Sequence, residues 1–116
     1  MLTFKLVVEE LDQLDRVYRA LGDPTRRRLL VALRERDSRI TDLAGPLPIS
    51  FAAVARHVAA LEGAHLITRE VRGREHWLSI RADGFRDAEA WIAEQTSVWS
   101  ERADALAEHL ERRGRR

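Results

Sequence analysis

The spacing of apolar residues predicts that most of the chain is helical. Over residues 10–21, leucine, valine and tyrosine recur every three to four positions, which indicates one buried helical face, and Gly22 ends the pattern. Residues 2–8 instead place apolar side chains at every second position, so we expect a short strand or an irregular lead-in there. Asp23 and Pro24 supply an N-cap and a first helical residue for a second helix. The apolar face of this second helix is Leu29, Leu30 and Leu33.

Two shorter helices are predicted next, separated by a tight break. The third helix covers residues 40–44 and is stopped by Gly45 and Pro46. The fourth begins after an N-cap at Ser50 and ends at Gly63. Its buried stripe, at positions i, i+4 and i+7, is Val54, Val58 and Leu61.

A hairpin follows the fourth helix. Residues 67–72 and 76–80 alternate as half-buried strands do, with Ile67, Arg69 and Val71 sharing one face. Gly73, between them, can adopt the positive φ that a tight hairpin turn requires. The order of helix, break, helix and hairpin predicts a winged helix-turn-helix, a mainly α fold with a two-stranded β-wing. Such a fold can place its second helix in the major groove of DNA.

The last helix is predicted to be long, covering residues 83–111. At 1.5 Å per residue it would span about 42 Å, which exceeds the diameter of so small a domain. Part of its apolar face should therefore overhang, and pairing with a second copy of the chain would cover it. We predict a homodimer interface formed by Leu11, Leu14, Tyr18, Trp91, Ile92, Val98, Trp99, Leu106 and Leu110.

Length and composition limit the class of protein. The 116 residues suffice for one domain, which we assign to residues 1–111, followed by a basic, disordered tail over 112–116. The sequence contains no cysteine, which excludes disulfides and thiolate metal ligands. No apolar run approaches the ~18 residues of a membrane span, and acidic residues interrupt any signal-like segment early. We therefore expect a cytoplasmic protein without a membrane partner.

The near-neutral net charge hides a strong segregation of charge. Residues 24–81 carry eleven basic and six acidic side chains, whereas residues 82–111 carry two basic and eight acidic ones. A polyanion should therefore meet the centre of the chain and avoid the last helix.

Several residues of the basic centre have side chains suited to DNA. Thr41 and Ser50 could each cap a helix or hold a phosphate at a helix N-terminus. Small alanines would let the fourth helix approach base edges, and Arg56 could then reach a guanine or a phosphate. The simpler interpretation is a helical core with a solvated arginine face. The predicted DNA-binding residues are Arg26, Arg27, Thr41, Ser50, Phe51, Ala53, Ala55, Arg56, Arg72 and Arg74.

Three segments also resemble a known family. DPTRRRLL (23–30), ISFAAVARHVAALE (49–62) and RGREHWLSI (72–80) are similar to the ArsR-type winged-helix repressors of bacteria. The resemblance implies a homodimer built on the first and last helices, with the fourth helix in the major groove of a near-palindromic operator. It also implies repression of the protein's own operon, relieved by a small-molecule effector of unknown identity.

The metal sites of that family are not matched. Residues 40–44 lack the cysteines of its metal-sensing members, and Ser100 and Ala103 stand where the zinc-binding members have later ligands. We therefore predict no metal and no cofactor. The sequence also has no glycine-rich phosphate loop, no nucleophile elbow and no HExxH motif, so we predict no enzymatic activity. Two alternatives stay open: a winged helix that binds protein rather than DNA, and a metal-responsive repressor whose histidines (His57, His65, His76 and His109) form an unpatterned site.

Overall fold

The computed structural model describes residues 2–115 as five helices and three strands. In chain order they are α1 (Leu2–Leu21), α2 (Pro24–Glu35), β1 (Ser38–Arg39), α3 (Ile40–Ala44), α4 (Phe51–Gly63), β2 (Ile67–Arg72), β3 (Glu75–Ile80) and α5 (Ala82–Gly114). The architecture is a winged helix-turn-helix with a long C-terminal helix, as the apolar spacing predicted.

One apolar core holds α1, α2, α3, α4 and the sheet together. The predicted stripe of α4 and the predicted face of α2 are both buried, and the described residues include no buried polar side chain. Apolar burial therefore accounts for the packing of the helix-turn-helix. The core residues are Val17, Ala20, Leu29, Leu30, Leu33, Ile40, Leu43, Val54, Val58, Leu61, Ala64, Leu66, Ile67, Leu78 and Ala88.

The N-terminal segment is helical, which corrects the expected strand or lead-in over residues 2–8. Phe4, Val7 and Leu11 continue the three- to four-residue spacing of the rest of α1. The period-two pattern was misleading because apolar residues are so dense in this segment that they satisfy both spacings. These side chains remain largely exposed.

The last helix is longer than predicted and extends beyond the domain. It continues past residue 111 to Gly114, so the boundary expected for a tail over 112–116 differs from the structure, and Arg116 lies outside the described residues. Only Gly84 and Ala88 of α5 are buried. The Cα radius of gyration is 20.3 Å, against about 13 Å for a compact domain of this length. No helix among residues 2–115 is both long and apolar enough to cross a membrane.

The sheet contains a third strand that the sequence pattern did not predict. β1 pairs antiparallel with β3, which also pairs with β2, giving the order β1-β3-β2. Two residues are too few to produce a recognisable alternation. Val71 is 59% exposed, which corrects its predicted place on a half-buried face, because it lies next to the last residue pair of the hairpin, Arg72 with Glu75.

The end of α4 and the start of α5 meet without space for a side chain. A Cβ on Gly84 would lie 2.3 Å from the carbonyl oxygen of Ala64 and 2.9 Å from Cδ2 of Leu66. The backbone N–H of Gly84 donates to the carbonyl of His65 at 2.9 Å, and that histidine has a positive φ of 57°. Glycine at position 84 is therefore what allows α5 to dock on the helix-turn-helix.

Candidate nucleic-acid interface

The start of α4 is formed by the predicted cap. The Ser50 hydroxyl oxygen accepts a hydrogen bond from the backbone N–H of Ala53 at 3.1 Å, which confirms the capping role. Thr41 does not cap α3, whose N-cap is Arg39 without a side-chain hydrogen bond. The Thr41 side chain is instead exposed in the first turn of α3.

The surface of α4 opposite the core is made of small residues and one arginine. Ala52, Arg56 and Ala59 lie at i, i+4 and i+7 and are all exposed. Ala53 and Ala55, which were predicted to face DNA, are half-buried on the flanks of this stripe. Ala52 is one of the small alanines that the sequence suggested for close approach to base edges, and the structure adds Ala59 to the candidate residues. The helical spacing from Arg56 is the signal that identifies Ala59. Phe51, at the N-terminal edge of the stripe, is 53% exposed.

Arg56 is exposed and has no hydrogen-bond or ion-pair partner among residues 2–115. An arginine without an internal partner can present its full donor set to a phosphate or to the O6 and N7 atoms of guanine. Its neighbours on the stripe are alanines, so the helix backbone can approach a groove closely.

The second helix begins beside α4, and its two predicted arginines have internal partners. Nε of Arg26 donates to Nδ1 of His57 at 3.1 Å, and Nη1 of Arg26 donates to the carbonyl of Arg19 at 3.2 Å. Nη1 of Arg27 donates to the carbonyl of Leu21 at 2.8 Å. Arg26 is also half-buried, so its guanidinium links α1, α2 and α4, whereas Arg27 is exposed.

The N-cap residue of α2, Asp23, has a lowered side-chain pKa. The Asp23 carboxylate accepts a hydrogen bond from the backbone N–H of Arg26 at 3.1 Å. This hydrogen bond is the main cause that lowers the pKa of Asp23 below its usual value, with a smaller contribution from the nearby His57 ring.

The tip of the hairpin presents the two predicted wing arginines. Gly73 has a φ of 62°, which confirms its role in the turn. Arg74 is exposed within that turn. Arg72 is exposed as well, but its Nη2 donates to Oε2 of Glu70 at 3.1 Å, and this partner raises the pKa of Arg72.

The predicted dimer surface is mostly uncovered in the single chain. The hydroxyl of Tyr18 donates to the carbonyl of Ala88 at 2.8 Å, and its ring packs edge-on to Trp91 at a centroid distance of 5.8 Å. Tyr18 is therefore half-buried and joins α1 to α5, and Leu14, one turn earlier on α1, is half-buried as well. The exposed residues, including two on α1 that the sequence analysis missed, form what we call the α1–α5 apolar face: Phe4, Val7, Leu11, Trp91, Ile92, Val98, Trp99, Leu106 and Leu110.

The histidines do not gather into a metal centre. Within residues 2–115 there is no group of three or more histidine, aspartate or glutamate side chains placed to hold a metal ion. His57 accepts from Arg26, His65 lies 3.3 Å from Nε2 of Gln13, and His76 lies 3.2 Å from Nη1 of Arg69.

Comparison with known proteins agrees with this geometry. The family described as "Bacterial regulatory protein, arsR family" matches residues 23–69, which run from the N-cap of α2 into β2. The transcriptional repressor SdpR of Bacillus subtilis (strain 168) is 28% identical over 79 residues, covering 68% of this chain and 88% of SdpR.

Solved structures extend the similarity to most of the chain. A crystal structure of an ArsR family transcriptional regulator is 32% identical, with a TM-score of 0.73, and covers 77% of this chain and 92% of that one. An ArsR-like transcriptional regulator from Rhodococcus sp. RHA1 is 28% identical, also with a TM-score of 0.73, and covers 83% and 91% of the two chains.

Fold and exposed surface together define a DNA-binding winged helix-turn-helix regulator. The chain belongs to the ArsR family of bacterial transcriptional regulators. This is a family of regulators and not of enzymes, as the sequence predicted.

Proposed function

We propose that this protein is a homodimeric repressor of its own operon that acts in the bacterial cytoplasm. Each protomer places α4 in the major groove of a near-palindromic operator and the β2–β3 hairpin on flanking DNA. The observation that carries this proposal is the exposed stripe of Ala52, Arg56 and Ala59 on the helix whose opposite side is anchored in the core. The name of SdpR, a transcriptional repressor, supports repression as the outcome of binding.

The α1–α5 apolar face supports dimerisation. An α-helix of 33 residues is about 50 Å long, and only two residues of α5 are buried, Gly84 and Ala88, both within its first two turns. Water-exposed apolar patches of this extent are characteristic of interaction surfaces. A second copy of the chain would cover the overhang and would present two α4 helices to successive major grooves, about one helical turn apart.

The arginine side chains that remain exposed would bind the phosphates of the DNA. Arg56, Arg74 and Arg27 are exposed, and Arg72 can exchange Glu70 for a phosphate. Thr41 and the Ser50 end of α4 would add neutral donors to the backbone of the DNA. Arg26 would contribute indirectly, because its half-buried guanidinium fixes α2 against His57 on α4.

Arg56→Ala tests the proposal directly, with Arg86→Ala as its control. Both variants remove one exposed cation, but Arg86 lies on the acidic helix α5. Binding to the DNA upstream of the protein's own gene would be measured by fluorescence anisotropy at several salt concentrations. We expect Arg56→Ala to cost about 1–3 kcal/mol at each half-site, or roughly 5- to 150-fold in affinity for each half-site contacted, with relaxed sequence specificity. Arg86→Ala should change the affinity less than about threefold.

Two results would contradict the proposal in different ways. Unchanged affinity in Arg56→Ala would remove Arg56 from the interface, and with it the one charged side chain of the stripe that carries the proposal. No salt-dependent affinity of the wild-type protein for this DNA would favour a winged helix that binds protein instead.

A further inference from the structure

The solvent-facing side of the wing carries an ordered row of side chains centred on Trp77. In the antiparallel register, Trp77 on β3 lies directly opposite Arg39 on one side and Glu70 on the other. The next pair toward the tip is Arg72 with Glu75. Residues directly opposite each other point to the same face of a sheet, so these five side chains share one face, while the buried Leu78 marks the other.

The Trp77 ring has a guanidinium group near it from each neighbouring strand. Cζ of Arg72 lies 5.0 Å from the ring centroid and Cζ of Arg39 lies 5.9 Å from it. Both distances are within the range of cation–π attraction. The indole therefore joins the arginine at the hairpin tip to the arginine at the base of α3.

Ion pairs extend this arrangement into the helix-turn-helix. Arg39 donates to both carboxylate oxygens of Asp42, at 2.9 and 3.1 Å, and to Glu75 at 2.7 Å. Asp42 lies in the first turn of α3, next to Thr41, whereas Glu75 lies at the tip end of β3. A forked guanidinium with three such bonds fixes direction as well as distance. The hairpin is thereby held at one angle to α3.

The other arginine of the turn provides a contrast. Arg74 makes no side-chain hydrogen bond or ion pair with residues 2–115, although it lies two residues from Arg72. Two cations of the same turn thus differ in one respect: Arg72 is held in place before DNA arrives, and Arg74 is not.

We propose that Trp77 and Arg39 are positioning residues of the DNA interface, which hold Arg72 and the whole wing in the orientation that meets the DNA backbone. The inference rests on the proposed DNA-binding function and adds two residues to it, neither of which needs to touch DNA. Trp77 acts on Arg72 through its ring. Arg39 acts on the hairpin through Asp42 and Glu75.

A double-mutant cycle separates positioning from direct contact. The affinity for operator DNA would be measured for Arg72→Ala, Trp77→Ala and the double variant, with Trp77→Phe as the conservative control. We expect Trp77→Ala to lose about as much affinity as Arg72→Ala and to reduce the salt dependence by a similar amount. The double variant should bind within about twofold of either single variant, and Trp77→Phe within about twofold of wild type. Retained wild-type affinity in Trp77→Ala, or losses that multiply in the double variant, would overturn the role of Trp77.

Glu75→Ala tests whether Arg39 positions the hairpin through its hydrogen bonds to Asp42 and Glu75. The expected change in DNA affinity is opposite in sign to the change that net charge alone predicts. Removing a carboxylate near DNA should strengthen binding if charge alone matters. Positioning predicts weaker binding instead, by about threefold or more, because the Arg39 guanidinium loses its hydrogen bond to the Glu75 side chain of the hairpin. DNA binding equal to or tighter than that of the wild-type protein would overturn the positioning role of Arg39.

A measurement without DNA distinguishes failure of this inference from failure of the proposed function. In ¹H–¹⁵N NMR spectra, the Trp77 indole resonance should shift in Arg72→Ala and in Arg39→Ala and should stay in place in Arg74→Ala. A Trp77 indole resonance that stays in place in both variants would refute the stacking of the two arginines on the Trp77 ring. If the variants show these shifts and the wild-type protein nevertheless binds no operator, the DNA-binding function on which the inference rests would be refuted.

Discussion

Replacing Gly84 with alanine should detach α5 from the helix-turn-helix. The new Cβ would lie 2.3 Å from the backbone oxygen of Ala64, and a backbone atom cannot yield as a flexible side chain does. Two hydrogen bonds at the junction would be disturbed, from Gly84 N–H to His65 and from Arg81 N–H to Leu66, both 2.9 Å long. Each contributes about 1 kcal/mol net, and overpacking adds about 1–3 kcal/mol.

The expected net loss for Gly84→Ala is about 2–4 kcal/mol, because alanine regains roughly 1 kcal/mol over glycine within a helix. At about 4 °C per kcal/mol for a domain of this size, the melting temperature should fall by about 8–16 °C. Thermal and urea unfolding followed by circular dichroism at one fixed protein concentration would measure it. A fixed concentration is needed because the proposed dimer would link stability to protein concentration.

Gly63→Ala is the matched control. It is also a glycine-to-alanine change in a helix near the same junction, but a Cβ there meets nothing within 4 Å. Its stability should match wild type or exceed it by up to about 1 kcal/mol. If Gly84→Ala unfolds within 0.5 kcal/mol of Gly63→Ala, on the order of the spread expected for neutral substitutions, the close-approach argument is wrong.

Two further predictions concern acid stability and assembly. The lowered pKa of Asp23 stabilises the fold above the usual carboxyl value of 3.8, and this contribution is lost as the pH falls through the lower folded-state value. Asp23→Asn keeps a good N-cap, so its free energy of unfolding should fall less than that of wild type between pH 6 and pH 3, and equal losses would contradict the assignment. Trp99→Glu and Leu106→Glu place a charge on side chains that are 67% and 59% exposed in the single chain. Each should convert the proposed dimer to a monomer in sedimentation analysis while leaving helical content unchanged, and a dimer that persists in both would remove this end of α5 from the proposed interface.

Helices whose apolar stripes face the protein's own core were predictable from the sequence. For α2 and α4, the cap residues Asp23 and Ser50 and the buried stripes are the ones expected, because caps and three- to four-residue spacing are local signals. The start of α1 was not predictable in the same way. Its apolar residues fit two periodicities, and no local signal distinguishes a helix that remains exposed from a strand.

The partners of the arginines were beyond what the sequence could predict. Residues 26, 39 and 72 look alike in a one-dimensional pattern of basic positions. In the structure, the Arg26 side chain is hydrogen-bonded to His57, 31 positions away, and the Arg39 side chain to Glu75, 36 positions away. Such contacts depend on tertiary packing, and they decide which guanidinium groups are hydrogen-bonded to distant residues.

Hydroxyl-radical footprinting of the wild-type protein on the DNA upstream of its own gene tests the central claim most directly. Two symmetry-related α4 helices in successive major grooves predict two protected half-sites about 10 base pairs apart, together with protection of the flanking backbone by the wings. In the same experiment with Arg56→Ala, protection of the half-sites should be lost before protection of the flanking backbone. Absence of protection on this DNA at low salt, or uniform protection without a half-site pattern, would contradict the account.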